Sequence, residues 1–237
     1  QDFEVVVEEG VRVVETAALN PSPYIDRLKK AGITTLHKVA TVRHAISAEK
    51  AGVDAVTMVG YEAAGHTGLD DLPLSITIPR AVDALKIPVI AAGGVGDGRA
   101  FVSALALGAC GIQFGTRLMA SKECSASAKF KDWLIETQET DTVYVERSMD
   151  RAYRVRKNAA TDKVLEMEQQ GANIFELLRY IGGEALQQVL FDGDLDAGVV
   201  ACGPVAGLIN DIPSVKEIVD RIVTQGQEIV RRLNDGQ

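Results

Sequence analysis

Aromatic side chains are scarce in this sequence. They make up 5% of the 237 residues, with a single tryptophan, although hydrophobic residues reach 46%. A core must therefore come from Val, Ile, Leu and Ala, which suits parallel α/β proteins whose strands are buried on both faces. Basic residues are outnumbered, 25 Lys and Arg against 33 Asp and Glu, for a net charge of −8. Such a surface repels phosphate backbones and argues against a nucleic-acid partner. Small anionic ligands stay open, because backbone amides can hold them whatever the net charge. Cysteine is limited to Cys110, Cys124 and Cys202. Their spacing fits no zinc or redox motif, and an odd count speaks against a disulfide framework. The expectation is a reduced, cytoplasmic protein with no bound metal. No apolar run is long enough to span a membrane, and no signal peptide is recognised. The first residue is not Met, and Asp2 to Glu9 reads as the tail of a helix. This leads to the expectation that the chain starts inside a repeating unit and lacks the first strands of its fold.

What is present is an alternation of short β-branched runs with longer amphipathic ones. Strands are expected at Val11–Thr16, Ile33–Ala40, Ala55–Val59, Pro88–Ala92 and Gly111–Phe114. Helices are expected at Tyr24–Ala31, Val42–Ala51, Ile76–Leu85 and Arg99–Leu107, with Gly32, Gly52 and Gly108 as stops. A long polar loop runs from Gly60 to about Leu74. Five β/α units in about 115 residues imply a parallel sheet with right-handed crossovers. Periodicity does not by itself separate an open doubly wound sheet from a β/α barrel. After Cys124 the pattern reads as mostly helical, with short helices at Ile174–Tyr180 and Glu184–Phe191. It ends in an amphipathic helix over Ser214–Leu233, opened by a Ser214/Glu217 capping box. The expected organisation is residues 1–121 as barrel with phosphate-binding loops, and 122–237 as a mainly helical region packed on it.

Four features could carry chemistry. Ile87-Pro-Val-Ile-Ala-Ala-Gly-Gly-Val-Gly-Asp-Gly-Arg99 runs a buried strand into Gly93, Gly94, Gly96 and Gly98 and then a helix. Glycines let a phosphate approach the backbone closely, and the helix start favours negative charge. The competing reading is a tight turn that needs positive φ. One unit later, Gly111-Ile-Gln-Phe-Gly-Thr-Arg117 ends another strand in Gly115-Thr116. In barrels the last two strand-to-helix loops often share a phosphate site, so these read as the seventh and eighth strands. Arg117 could meet phosphate or a carboxylate on the rim. His66 lies in Gly60-Tyr-Glu-Ala-Ala-Gly-His-Thr-Gly68, after a strand, where a histidine can move a proton near neutral pH. The alternative is an exposed or turn-capping histidine. His37 and His44 read as structural. Lys38, near the end of its strand, could meet an anionic ligand or simply be a surface lysine. Asp192-Gly-Asp-Leu-Asp-Ala-Gly198 lacks the distal glutamate of a calcium loop. Arg147, Arg151, Arg154, Arg156 and Lys157 read as a solvated face or a subunit contact.

Taken together, these segments resemble the nitronate monooxygenase family, also called 2-nitropropane dioxygenases. The residues that carry the resemblance are Glu62-Ala-Ala-Gly-His-Thr-Gly68, Pro88-Val-Ile-Ala-Ala-Gly-Gly94 with Asp97-Gly-Arg99, Ala104-Leu-Ala-Leu-Gly108, and Gly115-Thr-Arg117 with Glu123-Cys124. Gly193–Gly198 and Gly207–Ile209 extend the likeness toward the C-terminus. The resemblance implies an FMN-binding (β/α)8 TIM-type barrel, about five units of which are visible here, with a C-terminal helical extension. It implies phosphate contacts from Gly93, Gly94, Gly115 and Thr116. Lys38, Ala64 and Gly65 would lie near the flavin, and His66 would be the base or polar anchor for a small-molecule substrate. The implied reaction is oxidation of alkyl nitronates by O2 to a carbonyl compound and nitrite. The family also holds NAD(P)H:quinone reductases and flavin-type enoyl-thioester reductases, in which NAD(P)H would be the reductant; His37-Lys-Val-Ala-Thr-Val-Arg-His-Ala45 is similar to the quinone-reductase branch. A non-catalytic ligand-binding barrel, and assembly as a homo-oligomer, are further alternatives at this level.

Overall fold

The computed structural model describes residues 2–236. Among them the strands are β1 (Val13–Ala17), β2 (Thr34–Val39), β3 (Ala55–Val59), β4 (Gly65–His66), β5 (Val89–Ala92), β6 (Gly111–Gln113), β7 (Thr142–Val145) and β8 (Tyr153–Arg156). The helices are α1 (Asp2–Glu8), α2 (Ser22–Lys30), α3 (Val42–Ala51), α4 (Leu74–Ala84), α5 (Gly98–Ala106), α6 (Thr116–Met119), α7 (Ala128–Ile135), α8 (Ala159–Gln169), α9 (Ile174–Ile181), α10 (Gly183–Gln187) and α11 (Val215–Asn234). The chain divides into two compact units.

The first unit comprises Gln1–Gly60, Leu72–Ala92 and Ser103–Gln113. Its sheet runs β1-β2-β3-β5-β6, every neighbouring pair parallel. The order follows the sequence without reversal, as in consecutive units of a β/α barrel, whereas a doubly wound sheet reverses at a switch point. Local signals set the helices. Thr41 caps α3 by accepting a bond from the His44 amide, and Gly52 closes it in the left-handed region at φ 96°. Every residue of β3 is buried. Val56 and Met58 pack with Ala45, Ala48, Ile78 and Ala81 of α3 and α4 in an aliphatic core. Thr57, between them, turns to the opposite face of the sheet.

That opposite face is polar. The Glu15 carboxylate of β1 pairs with Lys38 Nζ of β2 at 2.7 Å. It also accepts from Thr57 Oγ1 of β3 at 2.7 Å and from Gln113 Nε2 of β6 at 3.0 and 3.1 Å. β1 and β6 are the two ends of the sheet, four strand spacings apart, or about 19 Å if it were flat. A hydrogen bond between their side chains requires the sheet to be curled strongly about Glu15, as barrel strands are. His37 faces the other way, buried at 4% exposure, with Nδ1 2.8 Å from Thr16 Oγ1. Burial holds its proton affinity below the ordinary value, so the structural reading of this histidine stands.

The second unit comprises Tyr61–Asp71, Gly93–Val102 and Phe114–Gln237. The half expected to be mainly helical holds α7 to α11. A three-stranded antiparallel sheet, β4-β8-β7, runs through the unit. Arg154 and Arg156 belong to β8 and not to a solvated face. Arg154 is 6% exposed. It donates to Tyr61 O and Thr142 Oγ1 and lies over the rings of Tyr61 and Tyr144 at 4.5 and 4.2 Å. Arg156 stacks on Trp133 at 3.8 Å. Guanidinium planes stack on aromatic faces while keeping their donors in plane, which lets an arginine strand enter a core. The capping box of α11 forms as expected. Its buried stripe is narrower than the apolar face predicts: Ile218, Ile222 and Gly226 are buried, whereas Val219, Val223, Val230 and Leu233 are exposed. A Cβ on Gly98 would lie 2.6 Å from the Gly226 backbone nitrogen, so α5 and α11 cross through glycines.

Glu15 titrates as the geometry demands. Burial raises its pKa, but the bonds from Lys38, Thr57 and Gln113 and the Lys38 charge outweigh that and leave it lowered. A lowered carboxylate contributes stability that is complete above its ordinary value of 4.5 and is lost as pH falls through its folded value. Glu15→Gln should make the acid-side loss of stability between about pH 5 and pH 3 shallower. Glu15→Ala should cost about 1–2 kcal/mol at pH 7, because it leaves Lys38, Thr57 and Gln113 without their acceptor. Urea denaturation across pH measures both.

Candidate active site

His66 follows β3 in the chain. It does not lie in a free loop as the flanking glycines suggested. With Gly65 it forms β4, paired antiparallel to β8 so that His66 is opposite Tyr153. The two rings stack at 4.6 Å with 29° between their planes. Gly65 and Gly68 both have positive φ, 76° and 86°, which lets the chain enter and leave so short a strand. The segment is pinned further along. Thr67 Oγ1 is 2.7 Å from Tyr144 Oη, which donates to Tyr61 O at 2.8 Å. The His66 side chain stays half exposed, placed by its neighbours and open on one side.

Two charged groups meet the ring at Nε2. Arg151 Nη2 is 3.3 Å away and Glu146 Oε2 is 3.7 Å away. Glu146 is itself 3.0 Å from Arg151 Nε, and its side chain is 3% exposed. Tyr153 has a raised pKa, chiefly through burial and then through the Glu146 charge, so it remains a neutral phenol at pH 7.

The glycine turn after β5 has separable causes. Gly93 and Gly94 adopt φ 114° and 67°. A Cβ on Gly93 would sit 2.8 Å from Ala63 Cβ and 2.9 Å from its nitrogen, and one on Gly94 would meet the Glu62 side chain at 2.9 Å. Gly96 has no such φ and instead makes room for Val205, as Gly98 does for α11. The start of α5 is not the open anion site that the sequence suggested. Gly98 N donates to Gln225 Oε1, and the Arg99 and Ala100 amides donate to Asp97 Oδ1. Asp97, held ionised by its bonds to Arg99 despite burial, places a negative charge there.

Gly203 ties the remaining candidates together. Its amide donates to Thr116 Oγ1 at 3.2 Å, and its Cα side packs against the Glu62 carbonyl and the Ala64 amide. Ala64, Gly65, His66, Gly93, Gly94 and Thr116 thus belong to one connected region of the second unit. Gly115, next to Thr116, faces open space: a Cβ there would meet nothing within 4 Å. Lys38 belongs to the first unit, where its ammonium is held by Glu15. Of the two readings of Arg117, the carboxylate is what it meets: it is 6% exposed and bonds Asp211 through Oδ1 at 2.6 Å and through the carbonyl at 3.0 Å. Sequence reasoning missed Glu146, Arg151 and Tyr153. The alternation in Thr142–Val145 and Tyr153–Arg156 was the signal for the hairpin, but nothing local marks Glu146 as buried. Among the described residues no cluster of His, Cys, Asp or Glu could hold a metal ion, and no helix is long and apolar enough to cross a membrane. Cys202 is buried, with its thiol pushed up to about 12, and is not a nucleophile.

The curled parallel sheet of sequential β/α units defines a protein of the β/α-barrel class. The comparisons place it more closely. A family model described as nitronate monooxygenase matches residues 1–225, and the chain belongs to that family. It is similar to FabK from Thermotoga maritima, at 34% identity and TM-score 0.93, over 99% of this chain and 74% of that one. It is 31% identical to a Mycobacterium tuberculosis (3aS,4S,5R,7aS)-5-hydroxy-7a-methyl-1-oxo-octahydro-1H-indene-4-carboxyl-CoA dehydrogenase, over 93% of this chain and 72% of the relative. A probable nitronate monooxygenase of Staphylococcus aureus is 44% identical over half of this chain and 36% of its own length.

The Gly93 turn gives a direct check on this geometry. Gly93→Ala adds a left-handed-region penalty to a clash with backbone that no rotamer change relieves, so it should destabilise by about 2–4 kcal/mol. Gly115→Ala, facing open space, should leave the unfolding free energy within about 0.5 kcal/mol of wild type. Parallel urea melts test the pair.

Proposed function

We propose that this chain is an FMN-dependent oxidoreductase that oxidises alkyl nitronates with O2 to a carbonyl compound and nitrite. The observation that carries the reading is His66: an imidazole fixed by strand pairing and by stacking, yet half open, in a chain of the nitronate monooxygenase family.

The residues present fit a flavin phosphate. Gly115 opens onto free space beside Thr116, and Gly93 and Gly94 turn at positive φ close against Ala63 and Glu62. Gly93, Gly94, Gly115 and Thr116 would hold the phosphate through backbone amides, and Ala64 and Gly65 would border the ring system. Binding through amides suits a protein of net charge −8. When bound, FMN supplies the electron acceptor that the oxidation requires. His66 supplies the proton chemistry. For a neutral nitroalkane it takes the α-proton at Nε2, the C–H bond breaks, and the electron pair stays with the nitronate. A substrate that arrives as the nitronate needs no base, and His66 then acts as a polar anchor.

A second reading is favoured by the likeness to FabK. In it NAD(P)H reduces the flavin, and a quinone or a thioester takes the electrons.

The first test is a visible spectrum of the chain incubated with FMN and desalted. Retained flavin is expected, and its absence would overturn the cofactor assignment. Anaerobic bleaching by a nitronate but not by NADH would select the first reading, and the reverse would select the second. His66→Ala should lower nitroalkane turnover by about 10²-fold or more, the usual worth of a general base, and nitronate turnover much less. Equal losses on both substrates would remove the base role.

A further inference from the structure

We infer that Glu146 is the positioning residue of His66: a buried carboxylate that faces Nε2 and stabilises the imidazolium formed when that nitrogen takes a proton. The inference rests on the reading of His66 as a base and extends it to a residue outside every motif that carries the family resemblance.

Three observations converge. Glu146 Oε2 is 3.7 Å from His66 Nε2, and the carboxylate is 97% buried at the end of β7. A carboxylate is seldom buried so completely unless it is paired. Its ion-pair neighbours here are Arg151 Nε at 3.0 Å and the imidazole at 3.7 Å, and Oε2 makes a hydrogen bond to neither. The backbone is also held in an uncommon state. Glu146 has φ 63°, in the left-handed region that a long side chain rarely adopts. The turn is built to keep it there. Glu168 accepts from the Glu146 amide at 3.0 Å and from the Ser148 amide and hydroxyl. The Glu146 carbonyl accepts from the Met149 and Arg151 amides. Residues kept in such conformations by their surroundings cluster at working sites.

The charges around the ring define what Glu146 does. Among the described residues, the charged or titratable groups that meet His66 are Glu146, Arg151 and Tyr153. Tyr153 is uncharged at neutral pH and supplies a stacking plane. In the neutral tautomer with Nε2 unprotonated, Arg151 Nη2, 3.3 Å away, can donate to that nitrogen. Its guanidinium also opposes any positive charge on the imidazole. Glu146 faces both cations. When the ring takes a proton, its positive charge lies beside the carboxylate, 3.7 Å away, and the Arg151 repulsion is offset by the same group. Without Glu146 the ring would meet Arg151 alone.

Glu146→Gln keeps the shape and removes the charge. The His66 ring-proton titration, followed by NMR in the full chain and assigned by its loss in His66→Ala, should move to lower pH by about one to two units. Arg151→Gln should move it the other way. In FMN-loaded protein, kcat/KM for a neutral nitroalkane should fall about 10-fold or more at pH 7 in Glu146→Gln, with nitronate turnover retained. An unmoved titration in folded Glu146→Gln, or shifts of one sign in both variants, would overturn the inference. If Glu146→Gln does not fold, the Arg151→Gln titration decides it alone, since an unmoved midpoint there means that the two charges do not act on the ring. The NMR titration needs no turnover. Midpoints that shift while His66→Ala keeps full nitroalkane activity would therefore leave the Glu146 coupling standing and remove the base reading.

Discussion

The first unit depends on one carboxylate. Glu15 lies on the inner face of a parallel sheet and collects Lys38, Thr57 and Gln113, one residue from each of three other strands. Aliphatic packing against α3 and α4 covers the outer face and is indifferent to how far the sheet curls. The polar cluster is not indifferent. Its bonds require the first and last strands of the sheet to bring side chains within 3.1 Å, and only a barrel-like curvature does that. The same bonds allow a charge to sit on an inner face at all, since an unpaired carboxylate there would carry the full cost of leaving water.

The second unit solves a related problem with arginines. Arg154 and Arg156 enter a sheet and a core because each finds both an aromatic plane and in-plane acceptors. Arg151 and Glu146 bring charge to His66 instead, at 3.3 and 3.7 Å from its titratable Nε2. The hairpin β7–β8 therefore does more than extend the fold. It provides the strand on which His66 is registered, the tyrosine on which it stacks, and the turn that holds a carboxylate beside it.

Much of this was legible in the sequence. The five β/α units follow from β-branched runs separated by amphipathic stretches. α3 and α11 begin and end close to where Thr41, Gly52 and Ser214/Glu217 place them, because caps are local chemistry. What the sequence hid is what depends on distant partners. Tyr153-Arg-Val-Arg156 alternates as a strand does, yet its arginines read as solvent-facing until Tyr61, Thr142 and Trp133 are brought to them. Glu15 had a readable signal, a charge inside a strand of an otherwise buried sheet, but its partners lie 23 to 98 residues away. Glu146 had none, since neither its left-handed backbone nor the Glu168 bonds that hold it leave a mark in the residues beside it.

The glycine-rich turn shows where a motif stops being informative. Four glycines between a strand and a helix read most simply as a surface for phosphate. Two of them, Gly96 and Gly98, are required by Val205 and by the crossing with α11, and would be required with no ligand at all. The helix start that should attract an anion is closed by Gln225 and by an ionised Asp97. What remains for a phosphate is narrower: the positive-φ pair Gly93 and Gly94, and Gly115, whose Cβ position is empty for a different reason. No neighbour packs there. A glycine that its neighbours crowd explains itself by packing, whereas a glycine beside open space with an ordinary φ needs another reason, and close approach by a ligand is one that applies. By that criterion Gly115, the least conspicuous glycine of the set, carries more weight for cofactor binding than the dense cluster that first drew attention.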